Sequence, residues 1–114
     1  MSNDLENYGP PIWDQTKAEA LLGSLVLVGV TYLKQDGSVE SRSEFFGIVT
    51  KVQADWGIDI ECHGETWNGK TMTMPPDLNS FRDASPGTYR LRSTGEQLTD
   101  PAYTAAWTIT RNGN

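Results

Sequence analysis

Residues Leu25 to Ile60 constrain the fold more than any other stretch, because they read as two antiparallel hairpins in succession. The first arm, Leu25 to Leu33, is apolar on both faces. Val26, Val28, Val30 and Tyr32 share one side, and Leu25, Leu27 and Leu33 share the other. A strand covered on both sides sits centrally in its sheet or belongs to a barrel. Asp36-Gly37 is a strong hairpin signal, since both residue types accept the positive φ that a tight turn requires. A two-residue loop there predicts Val28 opposite Phe45 and Leu27 opposite Phe46.

The return arm runs from about Glu44 to Ala54. Strict alternation places Phe45, Gly47, Val49, Lys51 and Gln53 on one face, and Phe46, Ile48, Thr50, Val52 and Ala54 on the other. In Asp55-Trp56-Gly57, the glycine suits the left-handed position of a three-residue loop with a bulge. The next strand alternates cleanly, with Ile58, Ile60 and Cys62 inward and Asp59, Glu61 and His63 outward.

The flanking segments are read around this centre. Residues 1–13 form a tail, acidic and ending in Gly9-Pro10-Pro11 over its first eleven residues, that is expected to be mobile unless Tyr8, Ile12 or Trp13 docks it. A short helix follows, with Asp14 or Thr16 as N-cap, Leu21 and Leu22 packing on the sheet, and Gly23 at the end. Asn68-Gly69 predicts a further turn into a short strand, Lys70 to Met74, with Met72 and Met74 inward. Pro75-Pro76 ends that strand, because proline has no N–H for the ladder. One helical turn is predicted near 77–82. Strands are predicted at Thr88 to Arg92 and Tyr103 to Ile109, with a loop from Thr94 to Pro101 between them. Asn112 to Asn114 read as a frayed end.

This element order resembles that of the small SH3-like and Sm-like barrels. The resemblance implies a mostly β, partly open antiparallel barrel of five to six strands, with a short N-terminal helix in front. Residues 14–111 are expected to form that single domain, since 114 residues suffice for one core.

Charge and cysteine usage bound the function. A net charge of −6 disfavours sequence-independent nucleic-acid binding, which needs a cationic face to displace counterions. The same charge favours encounter with a basic partner. A single cysteine, Cys62, excludes an internal disulfide, and no basic region followed by an apolar run is present. The longest apolar run is too short to cross a bilayer. A cytoplasmic protein without membrane association is therefore expected.

Chemistry-bearing motifs are few. No glycine-rich phosphate loop or Gly-x-Ser-x-Gly is present, and no cofactor is expected. Asp59, Glu61 and His63 share one strand face and are the only set with metal-ligand character. Neighbours at i and i+2 lie roughly 6.5–7 Å apart, so one strand alone does not close a site. A solvated outer face explains them more simply. Cys62 and His63 point to opposite faces and cannot pair as nucleophile and base. Arg90 and Arg92 share a face and suit anion binding, against neutralisation by Asp83, Glu96 and Asp100. Trp56 at a hairpin tip, with Pro75, Pro76 and Asp77, makes the best protein-contact surface, because rigid aromatic area is ordered at low entropic cost. Trp13 and Trp67 read as plugs at the ends of the core.

The first reading is thus a non-catalytic protein-binding domain, one version being an acidic inhibitor or immunity-type protein. A small metal-dependent hydrolase using the Asp59 face and an RNA-binding barrel using Arg90 and Arg92 are the alternatives.

Overall fold

Asp14 caps the first helix. Its side chain accepts from the Lys17 N–H at 3.0 Å. The structure, a computed structural model, describes residues 13–111. The expectations for the tail before Trp13 and for Asn112 to Asn114 lie outside those residues.

Helix α1 spans Gln15–Leu21. Ala18 and Leu21, one turn apart, are buried. Leu22, expected to pack beside Leu21, is instead 46% exposed. The helix has already ended there: Leu22 is extended and Gly23 takes φ +79, which turns the chain before Leu22 reaches the sheet. The Gly23 N–H then donates to the Val49 carbonyl, and the Val49 N–H to the Ser24 carbonyl, tying the connection to the second hairpin arm.

Strands β1 (Leu25–Leu33), β2 (Val39–Gln53), β3 (Gly57–Cys62) and β4 (Thr71–Met74) form an antiparallel meander. The predicted register of the first hairpin is observed, with Val28 opposite Phe45 and Leu27 opposite Phe46. It is reached by another route. Lys34 and Ser38 close a three-residue loop, and a bulge at Glu40 restores the count. A second bulge, at Thr50, carries Val52 from the outer face to the inner one, opposite Ile58. Strict alternation had placed Val52 on the other side.

A 3-10 turn at Leu78–Ser80 follows the two prolines, as expected, and is capped by Asp77. Short strands β5 (Phe81–Asp83), β6 (Thr88–Arg90) and β7 (Gln97–Thr99) lead to β8 (Tyr103–Thr110). Two corrections to the predicted barrel arise here. Strand β8 runs parallel to β1, so the main sheet is mixed rather than antiparallel. Its order is β4-β3-β2-β1-β8-β5, open at both edges and not a closed barrel. The predicted Thr88 to Arg92 strand shortens to β6 and joins no part of that sheet. It pairs with β7, in a stretch expected to be loop, as a separate two-stranded ribbon.

Direction is set at the strand ends. The Ala102 N–H donates to the Leu25 carbonyl, so the returning chain enters beside the start of β1, not its end. The inner face then aligns Val26, Val28 and Val30 with Ala105 and Trp107 on one side, and with Phe45, Ile60 and Cys62 on the other. Leu21, Leu78 and Phe81 close over them. Leu91 and Leu98, also buried, lie outside this cluster. Among the described residues no helix is long and apolar enough to cross a membrane.

Candidate functional site

The tip of the β2–β3 hairpin is built by one close approach. A Cβ on Gly57 would stand 2.5 Å from the Met74 carbonyl oxygen, and its φ is +134. Only glycine lets the tip lie this near the end of β4. The Trp56 N–H donates to Gln53 across the loop. Trp56 is thereby presented beside Met74 and the Pro75-Pro76 step that ends the ladder.

Trp56 is 54% exposed, yet it is held in place. Its indole N–H donates to Asp59 Oδ1 at 3.0 Å. Lys51 Nζ lies 4.6 Å from the ring centroid, within cation–π range. The same Asp59 oxygen accepts from Thr73 Oγ1 at 2.6 Å. Lys51 reaches this side because the Thr50 bulge brings it opposite Asp59. The bulge thus aims a lysine at the tryptophan, and Asp59 fixes the ring's other edge.

Next to the tip is a cleft of about 580 Å³ lined by Trp13, Asp14, Ala54, Pro76, Asp77 and Leu78, together with Asn79. Asp14 and Asp77 cap the two short helices that form its walls. Their carboxylates, with Asp55 in the tip, give this end an acidic rim. Of the residues singled out from sequence, Pro76 and Asp77 share the cleft, whereas the partners of Trp56 are Lys51 and Asp59. Pro75 connects Pro76 and Asp77 to β4, and Trp56 stands beyond Ala54. Trp13, read as a plug, packs partly on the core and also lines the cleft. Trp67 packs on the core too, its ring 6.2 Å from that of Phe45.

The remaining candidates are arranged differently. Asp59 and Glu61 leave β3 on the outer side, but Asp59 is engaged by Trp56 and Thr73, and Glu61 and His63 are exposed. Among the described residues no three His, Cys, Asp or Glu side chains gather as metal ligands. Burial pushes the Cys62 thiol up from its ordinary value, so the thiolate nucleophile is disfavoured. Arg90 lies on β6 opposite Gln97, whereas Arg92 lies past the strand end, where its backbone N–H donates to the Glu44 carboxylate. Two of the three acids expected to neutralise these arginines are used elsewhere. Asp100 accepts from the Gly87 N–H, and Glu96 from the Glu65 N–H.

Sequence reading missed the outer-face surroundings of Arg92, which include Arg42 and Gly29. The signal available was Gly29 itself, an isolated glycine inside a strand of β-branched residues. The chain matches no family model, no curated protein and no solved structure.

Proposed function

We propose that this chain is a non-catalytic protein-binding domain whose contact surface is Trp56 with Pro75, Pro76, Asp77 and the adjoining cleft. The observation that carries the reading is the fixed yet half-exposed Trp56. An indole already held by Asp59 and Lys51 loses little freedom when a partner covers it, so its apolar area converts efficiently into affinity. The adjoining cleft is lined by Pro76 and by the helix-capping Asp14 and Asp77, which also change shape little on binding.

The partner class follows from charge. Asp14 and Asp77 line the cleft, and Asp55 precedes Trp56 in the hairpin tip, in a chain of net charge −6. A basic protein surface complements them and is steered toward them. An inhibitor or immunity-type protein that masks a basic enzyme is the version this favours. The lone buried cysteine suits a reducing compartment, and we place the domain in the cytoplasm. Kinship with SH3-like barrels is proposed for the β1–β4 meander and the 3-10 turn after it.

The test compares wild-type chain with Trp56→Ala as baits in the same lysate, at low and high salt. A basic protein retained by wild type, reduced by salt and lost with Trp56→Ala while the variant keeps its folded circular-dichroism spectrum is the expected result. Retention that Trp56→Ala leaves unaltered removes this surface from the function.

A further inference from the structure

Two glycines interrupt the central strands for opposite reasons. At Gly47 a Cβ would lie 2.1 Å from the Glu61 carbonyl oxygen, so the packing of β2 against β3 demands glycine. At Gly29 a Cβ would meet nothing within 4 Å, and the backbone is not left-handed. Neither packing nor geometry asks for glycine there. A glycine inside a strand costs conformational entropy and contributes no contact, and such a position otherwise marks the close approach of a ligand or another chain.

What Gly29 does is keep a groove open. It pairs directly with Ala106 of β8. Together the two residues floor adjoining hollows of about 510 and 260 Å³ on the sheet face opposite the main core. Arg42, Arg92 and Ser93 wall the larger hollow, and Arg82 walls the smaller. Three of the chain's five arginines thus meet at one groove in an otherwise acidic protein.

One carboxylate, Glu44, borders both hollows. It accepts from the backbone N–H groups of Arg92 and Ser93, so backbone dipoles offset part of its charge. Those bonds also hold the loop that carries Arg92 against the groove. Among the described residues the single ion pair joins Arg111 to Glu40, which leaves the three groove arginines without a carboxylate within 4.0 Å.

We propose that this groove binds a small molecule bearing an oxyanion, phosphoryl or carboxylate, with a slim uncharged part lying over Gly29 and Ala106. Guanidinium forks match such oxyanions with paired hydrogen bonds. The larger hollow falls in the range of small-molecule sites. The floor lacks side chains beyond a methyl group, which selects a narrow body. Arg90, on the β6–β7 ribbon, takes no part.

The test is calorimetric titration of the full chain with pyrophosphate, with citrate and with a single-stranded oligonucleotide. Saturable binding of one equivalent of pyrophosphate or citrate is expected, and which of the two binds assigns the oxyanion. Arg42→Ala and Arg92→Ala should each weaken it at least about tenfold, the effect of losing a charge-assisted hydrogen bond. Gly29→Val should abolish binding while raising the melting temperature. Trp56→Ala should leave binding unchanged, which separates this groove from the protein-contact surface. Should Gly29→Val unfold the chain, the double variant of exposed Arg42 and Arg92 decides. The proposal is overturned if neither small anion saturates, if these variants leave binding unaltered, or if the oligonucleotide binds more tightly through the same residues.

Discussion

The Trp56 indole N–H and the Thr73 hydroxyl donate to one and the same oxygen, Oδ1 of Asp59, at 3.0 and 2.6 Å. This one atom links the hairpin tip to β4 and holds a half-exposed tryptophan in a single orientation. Asp59→Ala should free the ring and cost about 1 kcal/mol, modest because the pair stands near solvent. The loss is measurable as a melting temperature lower by about 4–8 °C. The Trp56 indole N–H resonance should shift and sharpen as the ring is released. An unmoved resonance would show that Lys51 alone positions the ring.

Leu21 and Leu22 are adjacent, yet their environments differ. Leu21 is fully buried and Leu22 is largely exposed. Leu21→Ala should cost about 2–5 kcal/mol, the usual range for emptying a core leucine site. Leu22→Ala should stay within about 0.5 kcal/mol of wild type. Urea denaturation of both variants measures the contrast. Equal losses would mean that Leu22 packs on the sheet after all.

Gly47→Ala places a methyl group against the Glu61 carbonyl at the register position shared with Cys62. The obstacle is backbone, which does not yield as a side chain does. The expected loss is about 3 kcal/mol or more, enough to unfold a domain of this size at moderate denaturant. A denaturation midpoint unchanged from wild type would show that β2 and β3 separate locally at little cost.

Glu96 sets part of the acid sensitivity. The Glu65 N–H donates to its carboxylate, holding that carboxyl below the usual glutamate range. A group whose value is lowered by folding contributes stability above its unfolded value, and this is lost as pH falls through its folded one. Stability should therefore decline as pH drops below the ordinary glutamate range. Glu96→Gln should flatten that decline while lowering stability at neutral pH. Urea midpoints from neutral pH down into the acid range test this. Parallel curves for the two proteins would remove Glu96 from the effect.

Several local features were legible because neighbouring residues decide them. Asp14 caps the helix through a donor three positions on. Asp36-Gly37 turns the chain, and the Val28–Phe45 register follows from the hydrophobic pattern on both arms. Pro75-Pro76 ends β4 for want of an N–H. The Thr50 bulge was not legible. An extra residue in one strand is visible only against its partner, and its effect was to move Val52 inward and bring Lys51 beneath Trp56.

The sequence by itself determined the meander from Leu25 to Met74, its inward and outward residues up to the Thr50 bulge and again along β3, and the prolines that end β4. Each of these rests on interactions between residues close along the chain. Only the tertiary structure decided that β8 lies parallel to β1, and with it that Ala106 stands beside Gly29. More than seventy positions separate those two residues. A threonine- and alanine-rich strand has the same period in either direction. Which direction prevails depends on where the chain re-enters, at Ala102 against Leu25, and on how Phe81 and Trp107 fill the core beneath. The arginine-walled groove exists only once that choice is made, because its floor and walls come from five separate segments of the chain.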